Sequence, residues 1–90
     1  MNQAVTVSAT LPAERSLLIV EDDKLFLERL ARAMESRGFA VTTAETVADG
    51  LDKVEKSPPA FAVVDMRLGD GNGLDVISAL KQRRADARGI

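Results

Sequence analysis

Three places in the sequence carry side chains that could do chemistry together. Glu21-Asp22-Asp23 sets three carboxylates in a row. Asp65 is a lone acid at the end of an apolar stretch. Gly69-Asp70-Gly71-Asn72-Gly73 is a loop of glycine and short polar residues. The remaining chemical inventory is narrow. The chain has no Cys and no His, which removes disulfides, thiolate metal sites, the usual general base and any Ser-His or Cys-His nucleophile pair. Chemistry must therefore run on carboxylates, hydroxyls, Lys or Arg. Carboxylates brought together without a partner repel one another. A hard divalent cation resolves that conflict: Mg²⁺ takes oxygen ligands, keeps several waters, and uses one or two carboxylates together with phosphate oxygens. An ionised Asp beside such a cation can attack an electrophilic phosphorus, because the metal neutralises the crowding charge.

Whether these acids meet depends on the elements between them. Ser16 to Val20 (SLLIV) is a continuous apolar run that suits a strand covered on both faces, and it runs directly into Glu21-Asp22-Asp23. Asp23, just beyond the first two acids, reads as a helix cap. Lys24 to Arg37 shows helical spacing, with Leu27, Leu30 and Met34 on one face and Phe26 and Ala33 beside them. Gly38 is placed to stop that helix in a left-handed turn. Phe39 to Thr43 is a second β-rich stretch. Thr46-Val47-Ala48-Asp49 resembles a capping box with Asp in place of Glu, and it opens a helix striped by Val47, Leu51 and Val54. Pro58-Pro59 prevents further helix. Phe61 to Val64 (FAVV) is a second fully apolar strand, ending at Asp65. Asn72 with Asp75 can cap a third helix carrying Leu74, Ile77 and Leu80. Phe26, Phe39 and Phe61 read as core.

The order βαβαβα predicts a parallel sheet with helices on both faces and right-handed crossovers. Such sheets bind ligands at the carboxyl ends of their strands. Two apolar strands end there in acids, so neighbouring strands would make the carboxylates converge. Acids between a strand and a helix are also common as N-caps, and one Asp after a buried strand is a weak signal. The joint pattern is far more specific. The loop lacks the Gly-Lys-Ser/Thr ending of a P-loop, and Asp70 with Asn72 falls short of a calcium loop, so it reads as a turn. Lys81-Gln82-Arg83-Arg84 reads as a solvated helix end.

Ninety residues with a net charge of −2 make one small domain, and the mild acidity argues against nucleic-acid binding by this segment itself. No apolar run approaches the ~20 residues of a membrane span. Residues 1–14 read as a flexible N-terminal arm without the marks of a secretory signal, and a cytoplasmic location is the default.

The stretches LLIVEDD and FAVVDMRLGDGNGLDVI resemble a response-regulator receiver domain over residues 15–90. The resemblance implies a flavodoxin-like (CheY-like) α/β fold, a doubly wound parallel sheet of order 2-1-3-4-5, of which this chain holds the first three βα units. It also implies Asp65 as phospho-acceptor, Asp22 as a direct Mg²⁺ ligand, Glu21 as a ligand through water, and the Arg67 backbone carbonyl as a further ligand. The phosphodonor would be a sensor histidine kinase. RSLLIVEDD, FLERLARAMESRGF and AVVDMRLGDGNGLDVI are more similar still to the RegA/PrrA/ActR-type redox regulators, which join a receiver to a helix-turn-helix DNA-binding domain. That resemblance implies control of transcription through an output domain outside this chain.

The sequence also departs from the family pattern. Gly69 stands where most receivers have proline, which loosens the loop. Arg67 puts a cation two residues past the acceptor, either screening the site and altering dephosphorylation or simply facing solvent. The family's switch Ser/Thr and its Lys would fall after Ile90. The third strand is therefore expected to be a sheet edge, with a dimer, a domain-swapped oligomer or only marginal folding as the consequence and slow self-phosphorylation from the missing cation. Two rival functions remain. One is an Mg²⁺-dependent phosphatase using an aspartyl-phosphate, disfavoured because Arg67 stands where the haloacid-dehalogenase type places a second Asp. The other is a receiver-like interaction domain that is not phosphorylated.

Overall fold

The computed structural model describes residues 15–90, so the arm expected over residues 1–14 lies outside them. The chain runs β1 (Ser16–Val20), α1 (Lys24–Ser36), β2 (Ala40–Ala44), α2 (Val47–Lys56), β3 (Phe61–Val64), β4 (Arg67–Leu68), β5 (Gly71–Asn72), α3 (Leu74–Arg83) and β6 (Arg88–Gly89). The main sheet has the order β2-β1-β3-β6, and all its pairs are parallel. This is the doubly wound flavodoxin-like arrangement expected from the sequence.

Strand periodicity divides the core. Leu17 and Ile19 point to one face, where Leu27 is buried with Leu30, Ala31 and Met34 of α1 beside it. Leu18 and Val20 point to the other, against Val47 and Val54 of α2 and Val76 and Leu80 of α3. The central strand is sealed, because Leu17 to Val20 are each at most 1% exposed. That burial on both faces is why the run is apolar at every position.

Helix ends follow local chemistry. The Asp23 carboxylate caps α1 by accepting from the Phe26 amide. At the other end Gly38 has φ +93°, its amide donates to the Glu35 carbonyl, and the Phe39 amide donates to the Met34 carbonyl. That pair of bonds is a Schellman closure, which needs a left-handed residue where glycine stands. Because Phe39 is used by this closure, β2 begins at Ala40, one residue later than the sequence suggests. Arg15 secures the same turn: its guanidinium donates to the Gly38 and Arg37 carbonyls and lies 4.6 Å from the centre of the Phe39 ring.

Four expectations need correction. Phe26 is not core: it is 51% exposed, because the α1 face carrying Leu27, Leu30 and Met34 turns it toward solvent. Only Phe39 and Phe61 pack, edge to face with centroids 5.5 Å apart. In α3 the inward pair is Val76 and Leu80 with Ile77 at its margin, and Leu74 is left exposed. The N-cap of α3 is Gly73; Asn72 instead accepts from the Leu74 amide. Finally, β3 is not a bare edge. Arg88 and Gly89 pair with Phe61 and Ala62, so among the described residues the Val63–Val64 half alone lacks a partner on that side.

Candidate functional site

The backbone ladders run past the ends of the strands and fix where the acids stand. The Glu21 amide donates to the Ala44 carbonyl at 3.0 Å, one residue beyond β1. The Asp65 amide donates to the Val20 carbonyl at 2.9 Å, one residue beyond β3. Both acids therefore flank the carboxyl end of β1. One ligand oxygen each from Glu21, Asp22 and Asp65 lies within 4.8 Å of the others. Glu21 and Asp65 are half-buried and Asp22 is exposed. The ion pairs Lys53–Asp49, Lys56–Asp52, Arg83–Glu55 and Arg84–Asp86 all engage other carboxylates.

This donor set fits a hard divalent cation. It is all oxygen, it is anionic, and its oxygens lie within 4.8 Å of one another, a spacing of the order of the ~4.2 Å between opposite ligands of an octahedral Mg²⁺. The Glu21 carboxylate is already partly committed, since one oxygen accepts from the Asp23 amide at 3.0 Å. Asp23 itself faces α1 as its cap.

Asp65 is held by the loop that follows it. The Arg67 amide donates to Asp65 Oδ1 at 3.2 Å, which limits rotation of the carboxylate. The Arg67 side chain is exposed, as the solvent-facing alternative anticipates. Residues 67–72 are not a plain turn. β4 and β5 pair antiparallel, Arg67 opposite Asn72 and Leu68 opposite Gly71, and Leu68 is buried in the core beside Val47.

Two residues of this loop matter in ways the sequence reading missed. Gly73 lies so close to the acceptor that a Cβ there would be 2.0 Å from the Asp65 carbonyl oxygen and 2.7 Å from Val64 Cγ1. Its φ of −59° is ordinary, so glycine is required for space alone. The only hint in the sequence is a glycine at a helix start, where Ser, Thr or Asp is usual. The second is Asp70. Its Oδ1 accepts from the Val47 amide at 2.8 Å and its Oδ2 from the Ala48 amide at 3.0 Å. Those two amides, Val47 first, hold the Asp70 carboxyl below its ordinary range.

A family model described as the response regulator receiver domain matches residues 17–90. The chain is similar to the acid tolerance regulatory protein ActR of Sinorhizobium medicae, 62% identical over 77 residues, covering 86% of this chain and 40% of that protein. It is also similar to the photosynthetic apparatus regulatory protein RegA of Cereibacter sphaeroides, 59% identical over 78 residues, covering 87% of this chain and 42% of that protein. The chain thus spans about two fifths of the length of these curated relatives. Among solved structures it resembles a response regulator from Burkholderia pseudomallei that carries a phosphorylated aspartic acid and a calcium ion. The TM-score is 0.77 at 33% identity, covering 83% of this chain and 44% of that one.

Proposed function

This chain belongs to the response regulator receiver domain family, and we propose that Asp65 is the residue in it that accepts the phosphoryl group. One observation carries the reading: two acids after β1 and one after β3 come within 4.8 Å of one another at the carboxyl edge of the sheet. Glu21, Asp22, Asp65 and the backbone carbonyl of Arg67 would hold Mg²⁺. When bound, the ion supplies positive charge that offsets the crowding of carboxylates and phosphoryl oxygens.

The chain's own residues do the rest. An oxygen of the Asp65 carboxylate attacks phosphorus, and a P–O bond forms as the P–N bond of a phosphohistidine breaks. The electron pair goes to the imidazole nitrogen, and with a proton on its other ring nitrogen the donor histidine leaves as neutral imidazole. An acyl phosphate serves equally, its carboxylate leaving instead. The Arg67 amide and the neighbouring Gly73 backbone hold Asp65 against the end of β1 while this happens. The donor in the cell is a sensor histidine kinase. The phosphorylated state is read by a DNA-binding output domain outside this chain, in a transcription regulator of the redox-responsive type that works in the cytoplasm. A dimer or swapped oligomer is part of the same reading, and light scattering tests it.

Steady phosphatase turnover finds no support, because the residue two positions after the acceptor is an exposed Arg67 and not an acid. The test of the main reading is intact-mass spectrometry after incubation with acetyl phosphate. A single phosphoryl adduct that needs Mg²⁺ and is missing in Asp65→Asn is expected. An adduct that persists in Asp65→Asn would overturn the assignment.

A further inference from the structure

We propose that Asp70 is a positioning residue for the acceptor, tying the loop that holds Asp65 to the first turn of α2. The inference rests on the reading of Asp65 given above, and it begins with the amides of α2. A helix leaves its first N–H groups without partners inside the helix. Here Thr46 settles its share locally, its side chain accepting from the Asp49 amide and its carbonyl from the Gly50 amide. The Val47 and Ala48 amides both go to Asp70, 23 and 22 residues further along the chain. Each carboxylate oxygen takes one of them, so the grip fixes both position and rotation.

The loop needs such an anchor. A hairpin of two residues per strand does not hold itself together in water. Gly69 has no heavy atom near the place of a Cβ, whereas Gly71, at φ +156°, lies over Val47 of α2. From Asp70 the constraint passes through the hairpin to the acceptor by the Arg67 amide on Asp65 Oδ1 and the Gly73 amide on the Met66 carbonyl. Gly73 in turn lies so near the Asp65 carbonyl that a Cβ would not fit between them. The chain of contacts thus links the start of α2 to the reacting carboxylate. Asparagine cannot copy the grip, because it offers one acceptor and sets a donor against a donor. Glutamate keeps both oxygens.

The test compares the wild-type protein with Asp70→Asn, Asp70→Glu and Thr46→Ala. Amide exchange is read by NMR at Val47, Ala48, Arg67 and Gly73, and Mg²⁺ affinity is read from the shift of the Arg67 amide. Asp70→Asn is expected to speed exchange at all four amides and to weaken Mg²⁺ binding about tenfold, as loss of an outer-shell partner does. Asp70→Glu is expected to restore part of both. Thr46→Ala, which removes only the local cap, is expected to leave Arg67, Gly73 and Mg²⁺ affinity unchanged. Faster exchange confined to Val47 and Ala48 in Asp70→Asn would overturn the proposal and make Asp70 a helix cap only. A Thr46→Ala effect on Arg67 and Gly73 equal to that of Asp70→Asn would overturn it as well. If the wild-type protein binds no Mg²⁺, the metal-dependent acceptor reading fails, while exchange at Arg67 and Gly73 still decides for or against the tie. If Asp70→Asn does not fold, Asp70→Glu carries the same exchange comparison.

Discussion

Gly73→Ala sets two physical effects against each other with opposite signs. Gly73 has helical angles that alanine adopts without strain. On backbone entropy alone, the substitution would therefore stabilise the fold by about 0.4–1 kcal/mol. The space around it predicts the reverse. The new Cβ would lie 2.0 Å from the Asp65 carbonyl oxygen, and real Cβ contacts essentially never fall below 3.0 Å. The difference, 3.0 less 2.0, requires a movement of 1.0 Å by the Asp65 backbone or the start of α3. The atom in the way is backbone, continuous with the Asp65–Val20 ladder bond, so it yields poorly. Overpacking of this kind costs about 1–3 kcal/mol, which against the entropy gain leaves a net loss of up to about 2.6 kcal/mol. For a domain of this size each kcal/mol lowers Tm by about 4–8 °C. A shift of about 1 Å at a reacting group costs on the order of a hundredfold in rate. The assay pairs a far-UV circular dichroism melt with the rate of phosphoryl adduct formation from acetyl phosphate and Mg²⁺. Gly69→Ala is the control, since no described residue lies within 4 Å of its Cβ position and its φ is not positive. It should melt at or above the wild-type temperature. A Gly73→Ala protein that melts no lower than wild type and takes the phosphoryl group at the wild-type rate would refute the reasoning.

Other perturbations separate core from surface and acid from amide. Leu80→Ala, at a position only 2% exposed, should cost about 2–5 kcal/mol. Phe26→Ala, on the solvent-facing side of α1, should stay within about 0.5 kcal/mol of wild type; chemical denaturation measures both, and equal losses would contradict the burial pattern. Asp70 adds a pH dependence. Its folded pKa is held below the ordinary 3.8 by the Val47 and Ala48 amides, so the unfolded chain binds the proton more tightly. The stabilisation from Asp70 is then complete above about pH 5 and is lost as pH falls through the depressed value. The stability gap between wild type and Asp70→Asn should narrow across that window in acid melts, and a gap that widens would contradict the assignment.

The strands SLLIV and FAVV, the caps at Asp23 and Thr46 and the stop at Gly38 were legible because each depends on neighbours within about four positions. Their order then implied the parallel sheet, and the acids at the strand ends implied a site at its carboxyl edge. The Thr46 box was only half right: Thr46 accepts from the Asp49 amide, but the Asp49 carboxylate turns to Lys53. Arg88-Gly89 carries no strand signature at all, and it pairs because the edge of β3 offers it open backbone groups.

The sequence determined which residues form strands and helices, and that Glu21, Asp22 and Asp65 end the strands that bring them together. Only the tertiary structure decided that Phe26 faces solvent, that Gly73 has no room for a side chain, and that Asp70 holds the first turn of α2. These facts depend on groups distant in the chain, the Asp70 partners lying 22 and 23 residues away. No local period or propensity encodes such a distance; it is set when α2 and the acceptor loop pack on the same face of the sheet.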